Sequence, residues 1–140
     1  MMKPYLLVRS GSIVCAIPVH EVAETMRPLP TDSIAGMPAF VRGLSIIRGR
    51  PTAVLDLTSL LEGSALGIVT RYVTLQNSER PVALAVEEVI GIQEIETEGL
   101  MSMGPLVDES RSNLVRHIGT LDDRVLMVLR DARVIEGFIA

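Results

Sequence analysis

The sequence predicts an all-β fold, a sandwich or a barrel, and three observations support this prediction. Apolar runs are short, and turn residues separate them at roughly the 8–12-residue spacing typical of all-β proteins. Segments with a helical pattern are few and brief. The second half of the chain repeats part of the apolar pattern of the first half, which indicates two similar β-lobes.

The first half of the chain predicts two hairpins. Residues 5–8 and 13–19 are apolar runs joined by a Ser-Gly-Ser turn, which is typical of a β-hairpin. Residues 28–38 are rich in proline, and prolines at that density cannot lie in a central strand, so this stretch predicts an ordered connection or an edge. Residues 44–47 and 52–57 then flank an Arg-Gly-Arg-Pro turn and predict the second hairpin.

The second half predicts two further hairpins. Residues 71–76 and 81–86 flank an Asn-Ser-Glu-Arg turn, and residues 118–121 and 125–129 flank an Asp-Asp-Arg turn. Both turns consist of polar residues that favour tight connections between strands.

Helical structure is predicted only in short pieces. Residues 58–63 predict a single helical turn, because hydroxyl side chains stand at its start and a glycine at its end. Residues 108–115 are the other candidate helix. The terminal residues 135–140 are expected either to pack back on the domain or to fray.

Two pairs of segments repeat along the chain: 54–63 with 128–137, at an offset of 74 residues, and 19–22 with 86–89, at an offset of 67. Duplication of a β-lobe explains both pairs. We therefore expect one domain over residues 1–140 that contains two interleaved lobes, roughly 13–65 and 70–130. A single closed barrel is the alternative.

Composition argues against two classes of function. The net charge is −4 and aromatic residues are 3% of the chain, so neither a basic face nor a stacking platform for nucleic acid is expected. The longest apolar run, residues 13–19, is far shorter than the ~20 residues that span a bilayer. With no signal-peptide core and a single cysteine, the sequence predicts a cytoplasmic protein without an internal disulfide.

The sequence contains few residues that could form a catalytic site or a metal site. Cys15 lies within an apolar run and is interpreted as a small buried hydrophobic residue. His20 and His117 have no neighbouring ligands, so no metal site is predicted. The acidic pairs at 87–88 and 122–123 do not have the geometry of an acid/base dyad. The sequence therefore favours a binding module without cofactor over a small enzyme, and a nucleic-acid-binding β-barrel is the weaker alternative.

Residues 41–57, Val-Arg-Gly-Leu-Ser-Ile-Ile-Arg-Gly-Arg-Pro-Thr-Ala-Val-Leu-Asp-Leu, closely resemble the signature of the CheW-like family of chemotaxis coupling proteins. The resemblance extends over segments 16–24, 37–43, 84–89 and 118–131, and so covers essentially the whole chain. Three positions depart from the family pattern. Ile46 replaces the usual Asn, Glu87 replaces the usual Asp, and Arg130 interrupts the apolar approach to Asp131.

The resemblance implies two small five-stranded β-barrels that share a hydrophobic core. It also implies a non-catalytic adaptor that bridges the cytoplasmic helical-hairpin tip of a methyl-accepting chemoreceptor to the regulatory domain of a histidine autokinase. The departures leave open a divergent scaffold of another chemosensory pathway, with type IV pili or another output in place of flagella. The resemblance assigns no kinase-binding residues here.

For the receptor side, the resemblance points to Val22, Glu24, Gly43 and Arg48, with Glu24 and Arg48 expected to form an ion pair at the mouth of an apolar groove. Structural explanations exist for three of these four residues. Arg48 could instead only secure the hairpin turn, and Glu24 could be a solvated surface acid. Gly43 could instead be required by a bulge or a positive-φ turn. Asp56 is interpreted as the cap of the helical turn that follows it.

Overall fold

The structure, a computed structural model, describes residues 2–63, 68–102 and 114–139. The described residues form twelve strands in two six-stranded sheets, with two short α-helices and two 3₁₀ turns. The predicted all-β class is therefore confirmed. Each sheet has one strand more than the five expected, because each carries a two-residue strand at one edge. No helix in these ranges is long and apolar enough to cross a membrane.

The first sheet combines the beginning and the end of the chain. Its order is β10-β11-β12-β2-β1-β9, with antiparallel pairs except for β12 and β2, which are parallel. Its strands are β1 (Met2–Ser10), β2 (Ile13–Pro18), β9 (Glu88–Glu96), β10 (Met101–Ser102), β11 (Val115–Leu121) and β12 (Arg124–Leu129).

The second sheet is formed by the middle of the chain and has the order β3-β7-β8-β6-β5-β4, with β6 and β8 parallel. Its strands are β3 (Val22–Met26), β4 (Thr31–Asp32), β5 (Val41–Ile47), β6 (Arg50–Asp56), β7 (Arg71–Leu75) and β8 (Val82–Val86). The helix α1 (Leu57–Glu62) follows β6, and α2 (Ala132–Glu136) follows β12.

The two sheets have the same strand arrangement, and in each sheet one hairpin pairs with strands from the other half of the chain. β1–β2 pair with β9 and β12, whereas β7–β8 pair with β3 and β6. The sheets therefore do not follow the expected boundaries 13–65 and 70–130. The 3₁₀ turn Val19–Glu21 carries the chain from the first sheet into the second directly after β2, so β2 must find its outer partner in a strand that comes much later.

The core has a shared part and a part within each sheet. In β1, Leu6 and Val8 belong to the cluster shared by both sheets and both helices, while Tyr5 and Leu7 belong to the cluster of the first sheet alone. Successive side chains of a strand point to opposite faces, so β1 is buried on both. Cys15 lies in the shared cluster, and burial raises the pKa of its thiol, which fits its interpretation as a buried hydrophobic residue.

Both helices begin at an aspartate. Asp56 accepts a hydrogen bond from the amide of Ser59 (3.0 Å), and Asp131 accepts one from the amide of Val134 (3.0 Å). The expectation that hydroxyl side chains cap α1 was wrong, because the hydroxyl of Thr58 instead pairs with that of Ser10 across the shared core (2.5 Å). The interpretation of Asp56 as the cap is correct.

Four of the twelve described strands were not predicted: the two-residue strands β4 and β10 and the longer strands β3 and β9. The edge strands β3 and β9 carry mixed polar and apolar residues, so their sequences lack the continuous apolar runs of the central strands. Of the candidate helix 108–115, residues 108–113 lie outside the described residues, and Val115 begins β11 instead. At the C-terminus, Phe138 packs edge-on against Phe40 with ring centroids 6.5 Å apart, so residues 135–139 pack back on the domain.

Gly43 is required by the close approach of β4. Its φ is +143°, and a Cβ there would lie 2.0 Å from the carbonyl oxygen of Asp32. Gly91 has nearly the same φ, +146°, but open space around it. We expect Gly43→Ala to lower the free energy of unfolding by about 1–3 kcal/mol more than Gly91→Ala, because only the first adds overpacking to backbone strain. Urea denaturation of both variants measures the difference, and equal losses would contradict the steric explanation.

Candidate functional site

The predicted ion pair joins two parts of the second sheet that are not neighbours. Glu24 lies in the edge strand β3, and Arg48 lies in the turn between β5 and β6. β7 and β8 separate these elements in the sheet order, so the sheet must curve strongly for them to meet. The pair therefore joins the edge strand β3 to the β5–β6 turn across the curved second sheet.

The contact is bidentate. Nε of Arg48 donates to Oε1 of Glu24 (3.0 Å), and Nη2 donates to Oε2 (2.8 Å). The hydrogen bond from Arg48 lowers the pKa of the Glu24 carboxyl and raises the pKa of the guanidinium. The side chain of Arg48 is nevertheless 78% exposed, so solvent screens the pair and it adds little to stability. The guanidinium is held in a fixed orientation with one face open to a partner.

The backbone of Arg48 adopts an unusual conformation. Its φ is +53° and that of Gly49 is +76°, as in a two-residue type I′ hairpin turn. The equivalent turn of the first sheet, 74 residues later, has Asp122 (φ +49°) and Asp123 (φ +65°), and aspartate tolerates this region better than arginine. Arg48 therefore occupies a backbone conformation that disfavours arginine, with its side chain at the surface.

A small cavity of about 150 Å³ opens beside the ion pair. Its walls are formed by the ion pair, by Arg50 and by apolar side chains that include Ile47, Leu75 and Val82. This volume holds one inserted side chain rather than the width of a helix. The site therefore combines an apolar notch with two cationic groups at its rim.

The structure does not bring the other two predicted residues into this notch. Val22 is half-buried at the start of β3 and packs against the shared core. Gly43 is buried in β5, and the backbone that approaches it belongs to Asp32 and Ser33 of the chain itself. Neither residue is among the described residues that line the cavity.

Glu21 is a buried acid that sequence reasoning missed. Its Oε2 accepts hydrogen bonds from the amide of Ala132 (3.1 Å) and from the side chain of Asn77 (3.4 Å), and its carbonyl accepts one from the amide of Gln76 (2.9 Å). These contacts anchor the 3₁₀ turn from which β3 begins and so position Glu24. No local pattern around Glu21 signals this role, because Ala132, Asn77 and Gln76, which supply these hydrogen bonds, are all more than 50 residues away.

A second missed feature is an exposed apolar strip on β5. Leu44 and Ile46 are 39% and 63% exposed, on the outward face of the strand that leads into the Arg48 turn. Ile46 is one of the departures from the family pattern. The strip lies on the opposite face of β5 from Ile47, which lines the notch.

We expect the carboxyl of Glu24 to titrate at a lower pH than an ordinary glutamate, and Arg48→Gln to raise its midpoint toward the ordinary value of about 4.3. The pKa of Glu24 is lowered in the folded state, so the stabilisation from the pair is present above the unfolded pKa. It is lost as the pH falls through the folded pKa. Carbon-detected NMR titration of the Glu24 carboxyl measures both midpoints. Arg124→Gln, in the first sheet, is the matched control, and an unmoved midpoint in Arg48→Gln would contradict the assignment.

The candidate chemical residues do not assemble into a reactive site. Cys15 is buried in the shared core, and His20 and His117 lie on different elements. Within residues 2–63, 68–102 and 114–139, no group of three or more His, Cys, Asp or Glu side chains is arranged to hold a metal ion.

Comparison with known proteins agrees with this architecture. The model of the CheW-like domain family matches residues 4–137. Among solved structures, the chain is similar to the crystal structure of the scaffolding protein TtCheW from Thermoanaerobacter tengcongensis, with a TM-score of 0.77 and 19% sequence identity over 93% of this chain and 90% of that chain. No curated protein matches the sequence. The structural likeness shows the fold, and the family match spans nearly the whole chain.

Proposed function

Because the chain belongs to the CheW-like domain family, whose members are scaffold proteins rather than enzymes, we propose that it is a cytoplasmic adaptor that couples chemoreceptors to a histidine autokinase. It contributes binding surfaces and no chemistry. A scaffold of this kind needs moderate affinity for each partner, since a multivalent array multiplies weak contacts by avidity.

The observation that carries the proposal is the oriented guanidinium of Arg48 beside an apolar notch. A receptor's helical-hairpin tip with apolar and acidic side chains on one face would bind by placing one apolar side chain in the notch. Acidic side chains around it would then face Arg48 and Arg50. Glu24 holds Arg48 in position and sets the charge pattern at the rim.

Val22 and Gly43 lie outside the notch and position the strands that form it. Val22 fixes the start of β3 on the shared core, two residues before Glu24. Gly43 allows β4 to lie against β5, which holds the hairpin that carries Arg48. Their roles in receptor binding are therefore indirect.

A divergent chemosensory scaffold is the second candidate function, and the exposed Ile46 favours it. An isoleucine that is 63% exposed, where the family usually has asparagine, makes the outward face of β5 more apolar. A receptor tip that matches it would itself be more apolar than usual at that contact.

Reconstitution tests the proposal directly. The full chain, a receptor signalling fragment on lipid vesicles and the kinase are combined, and co-sedimentation and kinase autophosphorylation are measured. We expect the kinase to sediment with receptor vesicles only when the chain is present. Capture of both partners from the native extract identifies which receptor and output are involved. Failure to bind either a receptor fragment or a kinase would overturn the proposal.

A further inference from the structure

Two arginines of the first sheet occupy the positions at which the second sheet has an ion pair. In the second sheet, Nη1 of Arg42 donates to Oδ2 of Asp56 (2.9 Å), and the carboxylate is 1% exposed. Adding the repeat offset of 74 residues to each position gives Arg116 and Arg130. The first arginine of each pair lies in the same kind of place, because a register shift interrupts the strand pairing at both Arg42 and Arg116.

Arg116 and Arg130 line the same cavity. Its volume is about 140 Å³, and it lies at the end of β12, beside the 3₁₀ turn that follows β2. Nε of Arg130 is buried and has no hydrogen-bond partner among the described residues. Burial and the positive charge of Arg116 also lower the pKa of the adjacent His117. Two arginines thus line one small cavity, and Nε of one of them is buried without a partner.

The acids that line this cavity are occupied elsewhere. Glu21 accepts from the amide of Ala132 and from Asn77, with His20 also 3.4 Å from its other oxygen. Asp131 accepts from the amide of Val134 as the cap of α2. Neither carboxylate makes an ion pair with Arg116 or Arg130 in the described part of the chain.

We propose that Arg116 and Arg130 form a binding site for a small oxyanion, a carboxylate or a phosphate group. Guanidinium groups bind both kinds of oxyanion through paired charge-assisted hydrogen bonds. The ligand is either a free anion or an acidic side chain presented by a partner protein. The site lies in the sheet opposite to Arg48, so it is independent of the proposed receptor contact.

Anion titration of the full chain tests the site. Sodium phosphate and sodium acetate are added at constant ionic strength with sodium chloride as reference, and NMR follows the Nε–H signals of the arginines. We expect a saturable shift of the Arg130 signal with phosphate or acetate and none with chloride. Arg130→Gln and Arg116→Gln are each expected to abolish saturation. Arg124→Gln, at the opposite end of β12, is the matched control and is expected to retain it.

A second variant separates loss of the site from loss of the fold. Arg130→Asp replaces one of the two cationic groups by a carboxylate that can pair with Arg116, so we expect it to abolish anion binding while its melting temperature stays equal to or above that of the parent. Linear, unsaturating shifts shared with Arg124→Gln, or retained saturation in Arg130→Asp, would overturn the proposal. Competition between phosphate and a bound receptor or kinase identifies a partner's carboxylate as the ligand. Saturation without competition identifies a free anion.

Discussion

Arg48→Asp is expected to lower the affinity for the receptor tip by roughly tenfold or more while leaving kinase affinity unchanged. The substitution breaks the bidentate contact with Glu24 and places two carboxylates at the rim of the notch. An acidic group on the approaching receptor would then meet repulsion in place of a donor. A kinase that docks on another surface would not sense the change. Titration of each partner separately measures the two affinities.

The turn conformation allows this variant to distinguish a loss of receptor binding from a loss of stability. Because φ at position 48 is +53°, aspartate suits the backbone better than the native arginine, and the melting temperature is expected to stay unchanged. Arg124→Asp, which reverses a charge next to the corresponding turn of the first sheet, is the control for net charge. Unchanged receptor affinity in Arg48→Asp would rule out the receptor contact. Equal loss of both partners with a lower melting temperature would make Arg48 a structural residue.

Asp56→Ala is expected to have the largest effect on stability, a decrease in the free energy of unfolding of about 3–5 kcal/mol. The carboxylate is 1% exposed, and it accepts hydrogen bonds from both Arg42 and the amide of Ser59. Its removal leaves the guanidinium of Arg42 without its counter-ion and the first turn of α1 without its cap. Urea denaturation monitored by circular dichroism measures the loss.

The duplication supplies the matched control for Asp56. Asp131 caps α2 with the same geometry but is half-buried and makes no ion pair with any described residue, so Asp131→Ala is expected to cost only about 1 kcal/mol. Asp56→Asn keeps an N-cap oxygen and loses the charge, so its stability should fall between those of the parent and Asp56→Ala. Equal losses in the Asp56→Ala and Asp131→Ala variants would show that the ion pair with Arg42 contributes nothing.

Local patterns predicted much of the fold. The apolar runs of β1, β2, β6, β7, β8 and β12 are recognisable because central strands are buried on both faces. The edge strands β3 and β9 escaped prediction because one side of each is open to solvent and tolerates mixed residues. The cap at Asp56 was predicted from short-range spacing, whereas the cap at Asp131 and the unequal burial of the two carboxylates were not.

The candidate site was likewise predicted only in part from the sequence. The family resemblance indicated Glu24 and Arg48 as a pair, but their spacing of 24 residues carries no geometric information of its own. The contact exists because the second sheet curves until β3 meets the β5–β6 turn. The anchoring role of Glu21 has no sequence signal, since its side-chain partners Asn77 and Ala132 come from distant parts of the chain.

By itself the sequence determined the all-β class, the hairpins, the repeat and the family, because each depends on the identity of neighbouring residues or on short-range turn chemistry. Only the tertiary structure decided which hairpin enters which sheet and which charged groups meet. Strand alternation and turn propensity act over a few residues, whereas strand order is selected by burial of the core that both sheets share. That burial places the β1–β2 hairpin beside β12, more than 100 residues away, and leaves Arg116 and Arg130 facing one cavity.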